Sequence, residues 1–345
     1  MLRALPQLDI AAFLADPSSP AGRDFASELT AACHDVGFVY LLGHGVDADL
    51  EQEVFGAARR FFGLPEADRM QIVNTNSPHF RGYTRLGHEH TNGVSDRRDQ
   101  IDIGPERDEP IVADGAPPWM RLRGPNQWPD AVPEMRPVVT AWMDQMAVVG
   151  RAVLHALAIG LGQPAELFDP VVSPDPEVLV KIIRYPAAVD GDQRDANARV
   201  PGQGVGAHHD SGLITFIMQD EVGGLQVASG DGFIDAPQVP GAYILNLGEM
   251  LQLATDGYLR ATKHRVVSPA VGLERISIAY FFNPSMEATL APVDLPPALA
   301  ALAPGGQNAN PADPVLSTYG DNWLKFRLRS HPDVAAIHHA DLIDN

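Results

Sequence analysis

Three residues of this chain have types and spacing suited to a metal ion. In Gly206-Ala207-His208-His209-Asp210, side chains two apart on an extended strand point the same way. His208 and Asp210 can therefore meet one ion while His209 faces away. A third ligand is expected from His264 in Thr262-Lys263-His264-Arg265-Val266, on a later strand that a rolled-up sheet brings alongside. Two imidazoles and one carboxylate on one face leave octahedral positions open, which suits iron(II) oxygen chemistry, with zinc as the rival for the same ligands. Further on, Arg275-Ile276-Ser277 places a guanidinium fork and a hydroxyl on one strand face, a pair able to hold a carboxylate. A surface arginine beside a barrel serine is the plain alternative. The three motifs in this order are more specific than any one of them.

Elements with alternating polarity must carry these groups. Segments 178–185, 213–219, 224–227, 242–247, 264–267 and 275–282 are short β-rich runs separated by Gly, Pro, Asp and Ser. Such a run in one half of a chain implies a sandwich or barrel rather than a parallel sheet. The first half reads strand, helix, strand, helix. Phe25, Leu29, Ala32 and Val36 recur at helical spacing before Gly37, segment 38–42 is an apolar strand, and a second helix runs from about Asp49 to Phe62. Segment 104–137 is dense in Pro and Gly and reads as a long surface connection. In the helix expected at 139–161, Trp142, Met146, Val149, Val153 and Leu157 form an apolar stripe, with His155 solvated on the opposite side. Segments 187–205 and 303–314 read as loops, and 319–344 as a helix packing back on the barrel, with His338 and His339 solvated.

Composition sets the outer bounds. The chain has 345 residues, and Lys+Arg 25 against Asp+Glu 44 gives a net charge of −19, which disfavours nucleic acid and anionic lipid as partners. A small-molecule substrate fits better. Cys33 is the sole cysteine, and the start at Met1–Pro6 lacks the pattern of a secretory signal, so a cytoplasmic location is expected. The longest apolar stretch is interrupted by Asp144, Arg151 and His155, which argues against a membrane span.

The run His208-His209-Asp210-Ser211-Gly212-Leu213-Ile214-Thr215, with Gln219-Asp220 and Gly223-Gly224-Leu225-Gln226-Val227, resembles the core signature of the 2-oxoglutarate/Fe(II)-dependent dioxygenases of the isopenicillin N synthase-like family. His264-Arg265-Val266 and Arg275-Ile276-Ser277 match too, as do Gly37-Phe38-Val39-Tyr40, His44-Gly45-Val46 and Phe61-Phe62-Gly63-Leu64-Pro65. The resemblance covers nearly the whole chain. It implies a mainly β fold, a distorted double-stranded β-helix (jelly roll) flanked by N-terminal and C-terminal helices. Residues 1–345 would form one catalytic unit: a helix-rich region at 1–165, the core with the iron at 175–285, and a returning C-terminal loop and helix at 286–345.

The same resemblance implies Fe(II), 2-oxoglutarate as cosubstrate and O2. His208, Asp210 and His264 would be the metal ligands, and Arg275, Ser277 and Tyr185 the cosubstrate contacts. Tyr185 stands in Ile183-Arg184-Tyr185-Pro186, where the family has Asn-Tyr-Tyr-Pro. Relatives that dispense with 2-oxoglutarate keep Arg-x-Ser for other carboxylates, so an oxidase on the same scaffold is the alternative reading, and a non-catalytic metal- or ligand-binding barrel a further one. Related halogenating enzymes have a small residue in place of the carboxylate. Asp210 therefore points to hydroxylation as the default, with desaturation or cyclisation as variants.

For the substrate, Glu89-x-Thr91 resembles Glu-x-Thr of bacterial ethylene-forming, arginine-oxidising relatives. Those relatives carry a basic residue where Lys181 stands and an arginine where Arg329 precedes Pro332-Asp333. Lys181 shares a strand face with Tyr185, so it must meet an anion inside the barrel: an acidic side chain, or the substrate. The substrate is read here as a small carboxylate-bearing metabolite, with Glu89 available to an amine or guanidinium. One ring of Phe281-Phe282 must face the interior, and Phe282 is the candidate. His88 and His90 lack a third ligand for a second metal.

Overall fold

The structure is a computed structural model and describes residues 4–187, 203–305 and 314–343. Most of the two expected loops at 187–205 and 303–314 thus lies outside the described residues. In chain order the strands are β1 Gln7–Asp9, β2 Phe38–Leu42, β3 Gly82–Thr84, β4 His90–Thr91, β5 Val94–Ser95, β6 Asp99–Ile103 and β7 Glu177–Tyr185. They continue with β8 Gln203–His208, β9 Ile214–Gln219, β10 Leu225–Ser229, β11 Gly232–Asp235, β12 Tyr243–Leu247, β13 His264–Val267 and β14 Arg275–Asn283. Every expected strand of the second half is present. The strand β11, and β3 to β5 in the first half, were not legible as strands because they are short and polar or Gly-containing.

One sheet has eight strands in the order β1-β2-β12-β9-β14-β7-β6-β3, and a second has four, β11-β10-β13-β8. Between them lies a core of Phe38, Tyr40, Ile183, Val205, Leu225 and Val266, contributed by both sheets. This is the jelly roll. Strands from the N-terminal region complete the large sheet, so β7 sits between β14 and β6 and is buried along both faces apart from Arg184.

The outer face of the large sheet is closed by helices. In the helix Met135–Gly160, Trp142, Met146, Val149, Val153 and Leu157 are all buried, as the stripe required. Each such side chain contributes about 1.5–3 kcal/mol of burial. The helix approaches the sheet closely because Gly150 has no side chain: a Cβ there would lie 2.9 Å from the Phe282 ring. The helix Pro20–Asp35 starts with Ser19 accepting from Gly22 N at 3.0 Å and proline in the first turn, and Ala48–Phe62 starts on Asp47. No single helix among the described residues is long and apolar enough to cross a membrane.

Of three histidines expected to be solvated, His339 is buried, while His155 and His338 stay half-exposed but are held by hydrogen bonds. His155 Nε2 meets Asp169 at 2.9 Å. The C-terminal segment is broken into Tyr319–Ser330, Pro332–His338 and Ala340–Ile343, since Pro332 cannot continue the first helix. The break folds His338 and His339 onto the body. His338 Nε2 donates to the Thr75 carbonyl and His339 Nε2 to the Pro78 carbonyl, each at 2.8 Å, and His339 is fully buried against Phe80 with ring centroids 5.1 Å apart. Arg121 clamps the end of the chain through two 2.8 Å bonds to Asp341.

Candidate active site

His208 closes β8, His264 opens β13, and the two residues are direct cross-strand partners. Asp210 follows in the turn after β8. The ligand atoms of these three residues lie within 4.8 Å of one another, with Asp210 Oδ1 3.6 Å from His208 Nε2 and 3.7 Å from His264 Nε2. The tautomers are set from behind. His208 Nδ1 donates to the Gly206 carbonyl at 2.8 Å and His264 Nδ1 to the Thr262 carbonyl at 3.2 Å, leaving both Nε2 lone pairs facing the common point. Asp210 Oδ2 accepts from Thr215 Oγ1 at 2.6 Å and from Asn246 Nδ2 at 2.8 Å, which leaves Oδ1 for a metal.

The protonation states suit the same purpose. Burial, helped by His208, pushes His264 down to about 4, and burial also lowers His208. Burial works to raise Asp210, but the two imidazoles, Thr215 and Asn246 outweigh it and hold the carboxyl below its usual range. Two neutral imidazoles and one carboxylate make a donor set that could hold a divalent cation near neutral pH. His209 contributes no atom to this cluster. It does not turn fully away either, because regular alternation ends at His208, and it lines the same cavity as His208 and Asp210.

Arg275 and Ser277 lie on the same face of β14, and Arg275 pairs across to Tyr185 of β7 with its guanidinium carbon 4.8 Å from the ring centroid. Arg275 is 1% exposed. It donates to Gln219 Oε1 at 2.8 Å and to Ser277 Oγ at 3.1 Å, both neutral, while its Nε is buried without a partner. Among the described residues its hydrogen bonds go only to neutral acceptors, with Asp220 close enough to feel its charge, and a buried cation with a donor to spare could receive the carboxylate of 2-oxoglutarate. Gln219 belongs to the sequence signature, but nothing in its spacing marks it as the group that aims Arg275.

A cavity of about 530 Å³ is lined by His208, Asp210 and their neighbours. Its walls include Glu89, Thr91, Lys181 and Arg329, which the sequence suggested, and Arg98, which it did not. Lys181 is satisfied by acidic side chains: Nζ donates to Glu89 at 2.8 and 3.0 Å and lies 3.4 Å from Asp102. Arg98 adds a 3.3 Å contact to Glu89 and a 3.1 Å contact to Asp96, and Arg327 from the C-terminal helix bonds Asp102. Thr91 donates to Asp96 at 2.7 Å. Burial works to raise Glu89, but Arg98 and Lys181 hold it far below the usual carboxylate range. His331 lies 3.9 Å from both Glu89 and Asp102, and burial pushes it down to about 3, so it stays neutral within this cluster.

Phe282 is not a wall. Alternation from Arg275 carries Ser277, Ala279 and Phe281 inward, so Phe281 lines the cavity while Phe282 packs under the helix Met135–Gly160. The opposite wall is the helix Tyr319–Ser330, which presents Tyr319, Asn322, Trp323 and Phe326.

Comparison with known proteins agrees with this geometry. A family model described as the 2OG-Fe(II) oxygenase superfamily matches residues 177–284, and one described as the N-terminal region of non-haem dioxygenase in morphine synthesis matches residues 5–131. The 2-oxoglutarate-dependent dioxygenase frbJ of Dothideomycetidae sp. is 33% identical, over 96% of this chain and 90% of its own. The homoarginine-6-hydroxylase 2-ODD-C23 of Glycine max is 32% identical, over 84% and 88%. The crystal structure of a full-length Neurospora crassa protein in complex with alpha-KG and thymine superposes with a TM-score of 0.72 at 25% identity, covering 97% of each chain.

Proposed function

Because this chain belongs to the 2-oxoglutarate/Fe(II)-dependent dioxygenases, we propose that it oxidises a small carboxylate-bearing metabolite, an amino acid or short peptide-like molecule, by hydroxylation. Iron(II) with 2-oxoglutarate and O2 supplies the oxidising power, 2-oxoglutarate leaving as succinate and CO2. His208, Asp210 and His264 would hold the iron, and Arg275 with Ser277 and Tyr185 the distal carboxylate of 2-oxoglutarate. Asn246 and Thr215 occupy the second oxygen of Asp210 and fix its orientation, while the walls exclude water and fix the pose of the target C–H bond.

The observation that carries the substrate class is the charge of the cavity wall. Lys263, Lys325 and Arg329 line it against Asp210 and Glu249, while Arg98 and Lys181 are balanced by Glu89, Asp96 and Asp102. In a chain of net charge −19 this local excess of cations is a placed feature, and an anionic group on the substrate matches it. The presence of homoarginine-6-hydroxylases among relatives near 32% identity supports an amino acid in particular. The test is a screen of carboxylate-bearing metabolites and their amide or ester analogues for substrate-stimulated succinate formation, repeated with Arg329→Met. Preference for the acids, weakened in the variant, is expected. Equal stimulation by acids and neutral analogues would overturn the reading.

A further inference from the structure

The acid that the cavity offers to a substrate cation is already engaged within the protein. Both oxygens of Glu89 lie within hydrogen-bond reach of Lys181 Nζ, at 2.8 and 3.0 Å, and Arg98 lies 3.3 Å from one of them. Around this pair the buried charges balance. Glu89, Asp96 and Asp102 face Arg98, Lys181 and Arg327, all at most 7% exposed, with His331 seated between Glu89 and Asp102. A cationic side chain brought against Glu89 would leave one buried positive charge in excess beside three others. It would also have to compete with a lysine that is anchored at both ends of its reach, by Glu89 and by Asp102.

We infer that Lys181 is a specificity-determining residue: by neutralising Glu89 it makes the cavity select amino acids with an uncharged side chain and reject those ending in a guanidinium or ammonium group. The inference rests on the amino-acid reading of the substrate and on the anchoring of the Lys181 ammonium to both Glu89 oxygens, not on the mere presence of a basic residue at this position, which the arginine-oxidising relatives share. It follows from removal of one charge rather than from reshaping. Without the ammonium, Glu89 would face the cavity as an acid with Arg98 and the neutral His331 beside it among the described residues, and the six-residue set would carry a net negative charge.

The experiment uses matched pairs that differ in charge and little in shape: L-citrulline against L-arginine, and L-homocitrulline against L-homoarginine. Binding to the anaerobic enzyme loaded with Fe(II) and 2-oxoglutarate is measured by calorimetry, and turnover by succinate formation. The parent enzyme is expected to bind the ureido member of each pair at least about tenfold more tightly. Lys181→Met, or Lys181→Gln should the first variant fold poorly, is expected to improve the guanidinium member at least about tenfold. The double variant Glu89→Gln/Lys181→Met should lose that gain, which separates a freed carboxylate from simple enlargement of the cavity. Tighter binding of the guanidinium member by the parent overturns the inference while leaving the amino-acid reading intact, as does a Lys181 variant with unchanged selectivity. No binding or turnover with either member of both pairs, or with the neutral L-amino acids, overturns the amino-acid reading and the inference with it.

Discussion

Gln219 Oε1 accepts a 2.8 Å hydrogen bond from Arg275 Nη2, so a neutral amide from β9 aims a buried guanidinium on β14. In the proposed function the charge of Arg275 would thereby serve a bound anion. Arg275→Leu removes a charge-assisted contact worth about 2–5 kcal/mol when desolvated, and the apparent KM for 2-oxoglutarate should rise at least about tenfold, one decade being about 1.4 kcal/mol. Gln219→Leu keeps the cation but frees its aim, and a smaller rise, about three- to tenfold, is expected. An unchanged KM in Arg275→Leu with turnover intact would remove that residue from the cosubstrate site.

His208→Ala, Asp210→Ala and His264→Ala should each abolish iron(II) binding, whereas His209→Ala should retain it. The three ligand atoms converge within 4.8 Å, and His209 lies outside that set. Metal content after anaerobic loading and desalting checks this. Loss of iron in His209→Ala comparable to that in His264→Ala would show that the ligand set is misassigned.

The dependence of stability on pH has a defined sign at His331. Burial pushes its folded-state value down to about 3 from the ordinary 6.5, so as pH falls below 6.5 the unfolded chain takes up a proton that the folded chain does not. The associated stability is present above pH 6.5 and is lost progressively as pH falls toward 3. Between pH 7 and 5 the loss from this one group reaches about 2 kcal/mol. His331→Gln should flatten the fall in chemical-denaturation stability over that interval by up to this amount. Parallel curves for the two proteins would contradict a buried neutral imidazole.

Gly150 is the point at which the helix Met135–Gly160 meets β14, and a Cβ there would stand 2.9 Å from the Phe282 ring. Gly150→Val should destabilise the fold by about 1–3 kcal/mol, the usual cost of overpacking a core. The pairing Gly150→Val/Phe282→Leu should recover part of it in thermal unfolding, and no recovery would place the strain elsewhere.

The site was legible in the sequence wherever strand alternation governs. His208, Arg275 and Ser277 each occupy the face that a period of two assigns, and Phe281 would have been placed correctly had the same parity been carried from Arg275 along β14. Contacts made across strands of distant sequence were not legible. Asn246 reaches Asp210, and Glu89 reaches Lys181, through registers fixed by the assembled sheet and by the β4–β5 hairpin. Lys181 shows the limit most clearly. Its burial required an anion, but whether that anion was protein or substrate depended on where a distant glutamate came to rest.

The most direct test of the central claim is anaerobic titration of the iron(II)-loaded protein with 2-oxoglutarate, followed by visible absorption. A weak metal-to-ligand charge-transfer band is expected to grow to saturation, to require higher 2-oxoglutarate in Arg275→Leu and to be absent from His264→Ala. Iron bound at full occupancy with no band at any 2-oxoglutarate concentration would contradict the account.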